Sequence, residues 1–397
     1  MSNDIQFRYF DQSTKRRQTI VSSHFVQHSP PPIADIKSGI VWIDSVPKGK
    51  RSIAHGAYFA DGSVIPESLP VRHTRSDRAI PQLPSGSSEK LLNRLHAACY
   101  LGDIRDHYGQ YGHFVLETLS RAWNWCTTAN GSVPVILGRR LPKFAHDFYA
   151  LIPGLVERLV LMDESTRCDN LTVPGPAFVL DKAIHYQFKE LCEQIATRSG
   201  AKKSRTSQQP LYLSRAGLDP ASHRTIIGED RLERLLQNEG FVVARPEKLS
   251  IEDQIALFNR HTTVVAPYGS ACHTRLFSLI PNTVFVLTSD FINRNHILCD
   301  LACLGDTCYA NIMVEQKLIR NGLKMRRFAL PMLLDDEKTM SLLKDFNLIR
   351  PRASFDSPPP APDAYQQTWL LAVARLAARE RNDELPAETT RSATEVL

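Results

Sequence analysis

The stretch LYLSRAGLDPASHRTIIGEDRLERLLQNEGFVVARPEKLSIEDQIALFNRHTTVVAPYGSACHTRLFSLIPNTVFVLT, residues 211 to 288, alternates short apolar runs with helical patterns. It places glycine and polar residues where the two meet. Leu211 to Ser214 reads as a strand that runs into the turn Ser214-Arg215-Ala216-Gly217. Glu229 and Asp230 open a helix whose Leu232, Leu235 and Leu236 fall three and four apart, and Gly240 stops it. Phe241 to Ala244 is the second strand. Ser250 caps a helix carrying Ile251, Ile255 and Phe258, with Asp253 at the capping-box position. Thr263 to Ala266, the sharp turn Tyr268-Gly269-Ser270, a helix from Ala271 to Leu279 and a strand from Thr283 to Leu287 complete the unit. This is the grammar of a parallel nucleotide-binding sheet. A strand that ends in a glycine turn and feeds a helix N-terminus offers free N–H groups to a phosphate.

Working toward the N-terminus, the order of elements suggests a second sheet. Residues 1 to 37 read as an extended arm, Gly39 to Ser45 as a strand, and Ala57 to Ile65 as a hairpin around Asp61-Gly62. A helix is expected over Glu89 to Leu95, a strand near Ala97 to Leu101, and a helix over Gln110 to Cys126. Strands at Val133–Leu137, Arg158–Met162 and Leu171–Leu180 and helices at Lys143–Leu151 and Asp181–Ser199 follow. The polar segment after Gly200 is taken as a hinge. Beyond residue 288 come a helix over Asn293–Leu304, a strand over Cys308–Val314, a helix over Glu337–Phe346, a proline linker and an amphipathic helix over Tyr365–Arg381. The expected division is therefore an arm and irregular β segments over 1–90, a first Rossmann-like domain over 91–205, a second over 206–350, and a linker, crossing helix and tail over 351–397.

The 397 residues allow two self-sufficient cores, and 43% hydrophobic with 23% charged residues is an ordinary globular balance. A net charge of +6 suits an anionic nucleotide or an acidic membrane surface, and peripheral association there is compatible with it. No basic stripe interleaved with aromatics points to nucleic acid. No apolar run approaches the roughly 20 residues of a membrane span, and no signal-peptide core opens the chain, so a cytoplasmic protein is expected. The eight cysteines form no CxxC pair. Cys299, Cys303 and Cys308 with His296 match no zinc spacing and read as buried thiols, so no metal centre is expected.

Several short motifs occur in a fixed order: Tyr-Gly-His-Phe-x-x-Glu from Tyr111 to Glu117, Leu-Ser-Arg at 213 to 215, Arg224 ahead of Gly228-Glu229, Gly240-Phe241 ahead of Pro246-Glu247, Leu249-Ser250 ahead of Gln254, and Gly269-Ser270-Ala271 ahead of Phe277. In order and spacing the chain resembles glycosyltransferase family 61. The resemblance implies an α/β, GT-B-like protein, two Rossmann-like domains facing a central cleft with a C-terminal helix crossing back. It implies an inverting glycosyltransferase that takes a nucleoside-diphosphate sugar, here expected to be UDP-linked, as co-substrate and needs no other cofactor. The chain departs from the family pattern at two places. Gly228 stands where an Asn is usual, and Tyr268-Gly269-Ser270 with Thr274 stand where the pattern has His-Gly-Ala followed by an Asn.

Inverting transfer needs a base on the acceptor hydroxyl, an aligned anomeric centre and positive charge on the departing diphosphate. No Asp-x-Asp metal pair occurs in the sequence, so the leaving group is expected to rest on cationic side chains and a helix end. Arg215, in the turn beyond a strand, is the first candidate, with Ser214 beside it and Arg224 as a second cation. Tyr268, Gly269, Ser270 and Ala271 form the expected cradle, although a tight turn also requires glycine for steric reasons. Glu229 either holds a sugar or ribose hydroxyl or stabilises its own helix. His113 and Glu117, at i and i+4, share one helix face and suit a base with an orienting carboxylate. Asp106 and His107 compete for the base role.

The acceptor is expected to be a glycan or lipid-linked glycan, in capsule, exopolysaccharide or lipopolysaccharide synthesis. A catalytically weak sugar-nucleotide-binding protein and a GT-B-like epimerase are the rival readings. The sequence does not address the oligomeric state.

Overall fold

The computed structural model describes residues 6–11, 16–21, 26–43, 55–69, 83, 93–104, 110–128, 132–202, 207–218, 226–288, 294–303, 306–311, 313–315 and 332–359. The fold is mixed α/β. Two larger sheets dominate it.

The second half holds a five-stranded, wholly parallel sheet in the spatial order Val242–Ala244, Leu211–Leu213, Thr263–Pro267, Thr283–Thr288, Asp306–Asn311. In chain order that is 2-1-3-4-5, the doubly wound arrangement whose direction of winding reverses between the first and third strands. Alternation along the strands explains why both faces are covered. Tyr212, Val265 and Leu287 pack with Leu232, Leu235 and Leu236 of the helix Glu229–Asn238 on one side. Leu211, Leu213, Val264 and Ala266 pack with Phe258 and Cys272 on the other. Ser250 caps the helix Ile251–Arg260, its hydroxyl accepting from the Asp253 N–H at 3.0 Å.

The first half is built on a six-stranded mixed sheet in the order His55–Tyr58, Ile33–Ile43, Thr166–Pro174, Arg94–Asp103, Val133–Leu137, Val160–Met162. The pairings on either side of Ile33–Ile43 are antiparallel and the remaining three are parallel. Pairing with Thr166–Pro174 recruits Arg94 and Leu95 into a strand, where a helix was expected over Glu89–Leu95. Residues 89–92 lie outside the described set. Within the expected arm, Gln6–Asp11 and Arg16–Val21 form an antiparallel hairpin that lies against Asp306–Asn311, the edge strand of the second sheet. The expected helix over Asp181–Ser199 begins later, at Tyr186, because Ala183–His185 first pairs with Val26–Gln27.

The two halves share one apolar core. Phe114, Phe148 and Leu191 from the first pack with Ile255, Leu276, Phe277, Leu298 and Cys299 from the second, and the Phe148 and Phe277 rings lie 4.9 Å apart. Beyond the second sheet, Met332–Leu334 pairs with Ile226–Ile227, and Arg231 forks onto Asp336 at 2.7 and 3.0 Å. The chain after residue 331 is thus strapped to the helix Glu229–Asn238. The expected crossing helix over Tyr365–Arg381 lies outside the described residues. No helix among the described residues is long and apolar enough to cross a membrane.

Candidate active site

Winding reverses between Leu211–Leu213 and Thr263–Pro267, so the crevice of this sheet lies beyond the carboxyl ends of those two strands. The residues found there are Ser214-Arg215 after one strand and Tyr268-Gly269-Ser270 after the other. The Arg215 guanidinium reaches across, its Nη1 donating to the Tyr268 carbonyl at 3.4 Å. A Cβ on Gly269 would come within 3.5 Å of that same nitrogen. Gly269 is extended, with φ 173°, a backbone conformation open to any residue. Ser270 and Ala271 begin the following helix, where no preceding carbonyl is available to their N–H groups.

Glu229 is the hidden support of this turn. Only 2% exposed, its carboxylate accepts from the Arg215 N–H at 2.7 Å, the Tyr212 hydroxyl at 2.8 Å and the Ser214 hydroxyl at 3.4 Å. Burial raises its carboxyl above the usual range, against the opposing pull of the Arg215 and Tyr212 hydrogen bonds. Glu229 stands in the first turn of its helix and also fixes the backbone of Arg215. Ser214 is likewise turned inward, fully buried, and its hydroxyl accepts the Ala216 N–H at 3.0 Å. Glu229→Ala leaves two buried donors without an acceptor, at about 1–3 kcal/mol each. Thermal unfolding should show that loss, while Glu229→Gln, which keeps an accepting oxygen, should retain most of the stability.

Gly228, at the N-cap of this helix, has φ +91°. Only glycine and, less readily, Asn or Asp adopt that left-handed conformation routinely. Glycine in place of the family's Asn therefore preserves the turn.

The expected α-helix after Gly269 is instead a 3-10 helix, Ser270–Phe277. At three residues per turn, Ser270, His273 and Leu276 eclipse one another and face the first half. Gly112 lies against the first two of them: a Cβ there would meet Ser270 Cβ at 2.8 Å and His273 Cδ2 at 3.0 Å. The segment bearing His113 is thereby placed directly across from the turn that receives Arg215. That segment is an α turn over Tyr111–His113, a π-helical turn over Phe114–Thr118 and a 3-10 turn over Leu119–Arg121. π turns recur at functional sites. His113 Nδ1 and Glu117 Oε2 are 2.5 Å apart, with the imidazole 37% exposed and the carboxylate 10%. The pair read from spacing is formed, and the half-exposed member is the imidazole. Asp106, His107 and Arg224 lie outside the described residues.

Sequence reading missed a second layer beneath the turn. His273 packs edge-to-face on His296 with ring centres 5.1 Å apart, and Cys299 Sγ lies 3.8 Å from His273 Nδ1. Arg275 and Asp300, each 1% exposed, form an ion pair that also engages Thr307 at 2.6 and 2.8 Å. An arginine inside the otherwise weakly charged ACHTRLFSLI was the available signal, since a buried charge demands a partner. Desolvation pushes the buried thiols up: Cys99, Cys168 and Cys303 to about 12 and Cys272 to about 11. Thiolate is the reactive form, so native protein at neutral pH should alkylate these positions only after denaturation, as read by peptide mass mapping.

Residues 111–286 match the family model described as Glycosyltransferase 61. The match begins at Tyr111 and ends inside the strand Thr283–Thr288, so it spans both sides of the site. No curated protein matches the chain. The enzyme class of that family is glycosyltransferase.

Proposed function

We infer that the protein is an inverting glycosyltransferase that moves a sugar from a nucleoside diphosphate, UDP in our reading, to a glycan or lipid-linked glycan, without a metal ion. The observation that carries this is the Arg215 side chain lying over the Tyr268-Gly269 turn at the reversal point of the parallel sheet, with Gly112, the residue before the His113–Glu117 pair, set against Ser270 on the other side. In this scheme the diphosphate sits between the Arg215 guanidinium and the Ser270 and Ala271 N–H groups, which receive charge as the bond from anomeric carbon to phosphate oxygen breaks. The acceptor hydroxyl attacks from the opposite face and gives its proton to His113. Glu117, bonded to Nδ1, fixes the tautomer in which Nε2 is the accepting nitrogen and stabilises the imidazolium that results.

A GT-B-like pairing of the two sheets is the architecture we propose, with the sugar nucleotide on the second half and the acceptor on the first. A role in capsule, exopolysaccharide or lipopolysaccharide assembly, on the cytoplasmic side of a membrane whose acidic surface attracts the mildly basic chain, completes the reading. Incubation with a panel of nucleotide sugars, followed by mass spectrometry, tests it. Glycosyl transfer or slow donor hydrolysis that persists in EDTA supports the reading. Epimer formation, binding without turnover, or a strict requirement for manganese or magnesium contradicts it.

Arg215→Ala should weaken UDP binding by about 1.5–3 kcal/mol, the range of a hydrogen bond to a charged group. Calorimetry on the folded variant reads this directly. Unchanged affinity would remove Arg215 from the donor site.

A further inference from the structure

The base-bearing segment is fastened to the donor-side helix at adjacent residues. The Tyr111 and Thr274 hydroxyls are 2.8 Å apart, a bond between positions 163 residues distant in sequence. Burial raises the Tyr111 phenol above its ordinary range, so it keeps its proton. Its ring is wedged among Phe144 and Phe148, at centroid distances of 5.7 and 6.0 Å, which fixes where the hydroxyl points. Gly112, the next residue, touches Ser270 and His273. Its φ is not left-handed, and glycine in a helix is otherwise unfavourable relative to alanine, so close approach is the physical reason for it. His113 follows immediately.

We propose that Tyr111, Gly112 and Thr274 are positioning residues whose contact sets the distance between the His113 imidazole and the Gly269–Ser270 turn, and hence to the anomeric carbon of a bound sugar nucleotide. This rests on the reading of His113 as the base. Thr274 stands where the family pattern has Asn, and its hydroxyl supplies the bond to Tyr111 here. The contact joins the segment that carries His113 directly to the helix that begins at Ser270, so its loss shifts one proposed reacting side against the other.

The test is a double-mutant cycle read in kcat at saturating substrates, in UDP affinity by calorimetry and in melting temperature. Tyr111→Phe, Thr274→Val and Gly112→Ala should each lower kcat by about 10- to 100-fold, the scale of an ångström-level misplacement. UDP affinity should stay within about twofold of wild type, because the donor turn is held separately by Glu229 and Arg275. The Tyr111→Phe/Thr274→Val double variant should be no slower than the slower single, since both remove one bond, and Thr274→Ser should keep the wild-type rate. Normal kcat in folded variants, UDP affinity falling in step with kcat, or multiplying losses in the double variant would each overturn the proposal. If the wild type turns over no nucleotide sugar, or His113→Ala is fully active, the base reading has failed and this one falls with it. An active wild type, an inactive His113→Ala and normal latch variants would sink the latch alone.

Discussion

His113→Ala should lose roughly 10²- to 10⁴-fold in kcat, the worth of a general base, while UDP affinity stays near that of the wild type. The separation follows from the geometry. His113 sits on the first half with Glu117, and Arg215, Tyr268 and Gly269 sit on the second, so removing the imidazole leaves every proposed diphosphate contact in place. Glu117→Gln should cost less, because the amide oxygen still accepts from Nδ1–H and only the charge is lost. Paired kcat and calorimetric measurements on the two variants check this. Equal losses of affinity and turnover in His113→Ala would mark a packing histidine. A near-normal rate would transfer the base role to Asp106 or His107.

Asp300→Ala carries the largest expected stability loss, about 3–5 kcal/mol, because it strands the buried Arg275 guanidinium. Burial alone would depress the Arg275 pKa, yet the Asp300 charge together with Cys303, Cys299 and Cys272 offsets this and holds it above its ordinary value. An arginine cannot shed its proton to escape, so the charge remains in the core. Replacing both partners by apolar residues, as in Arg275→Met with Asp300→Leu, removes both charges and should recover most of the loss. Chemical denaturation of the single and double variants reads the difference. The site should feel it too, since Arg275 lies in the same short helix that Ser270 begins. UDP affinity in Asp300→Ala is therefore expected to fall together with stability.

Much of the second sheet is legible in its residues. The β-branched runs Val242-Val243 and Thr263-Val264-Val265 and the strand at Thr283–Thr288 are bounded by glycine, proline or polar turns, and each became a strand within a residue or two of its expected place. The pair at His113 and Glu117 is legible because i and i+4 spacing fixes a shared helix face whatever the tertiary structure. What lies between distant segments is not. Tyr111 finds Thr274, and Arg275 finds Asp300, only after the two halves pack, and no local period encodes either pairing. The 3-10 winding of Ser270–Phe277 escaped notice for the same reason: its residues are not strong α-helix breakers, and contacts on two sides tighten it. Glu229 reads from sequence as a ligand for a sugar or ribose hydroxyl or as a helix-opening acid, and the convergence of Tyr212 and the Arg215 backbone on it is a tertiary contact that no local pattern encodes.

The claim on which the rest depends is that a nucleoside diphosphate binds between the carboxyl ends of Leu211–Leu213 and Thr263–Pro267. Photolabelling the full chain with an azido-UDP analogue, digesting it and mapping the modified peptides addresses that claim directly. Label is expected in peptides spanning residues 211–218 and 267–275, abolished by excess UDP. UDP-protected label confined to other parts of the chain, or no protected label at all, would contradict it.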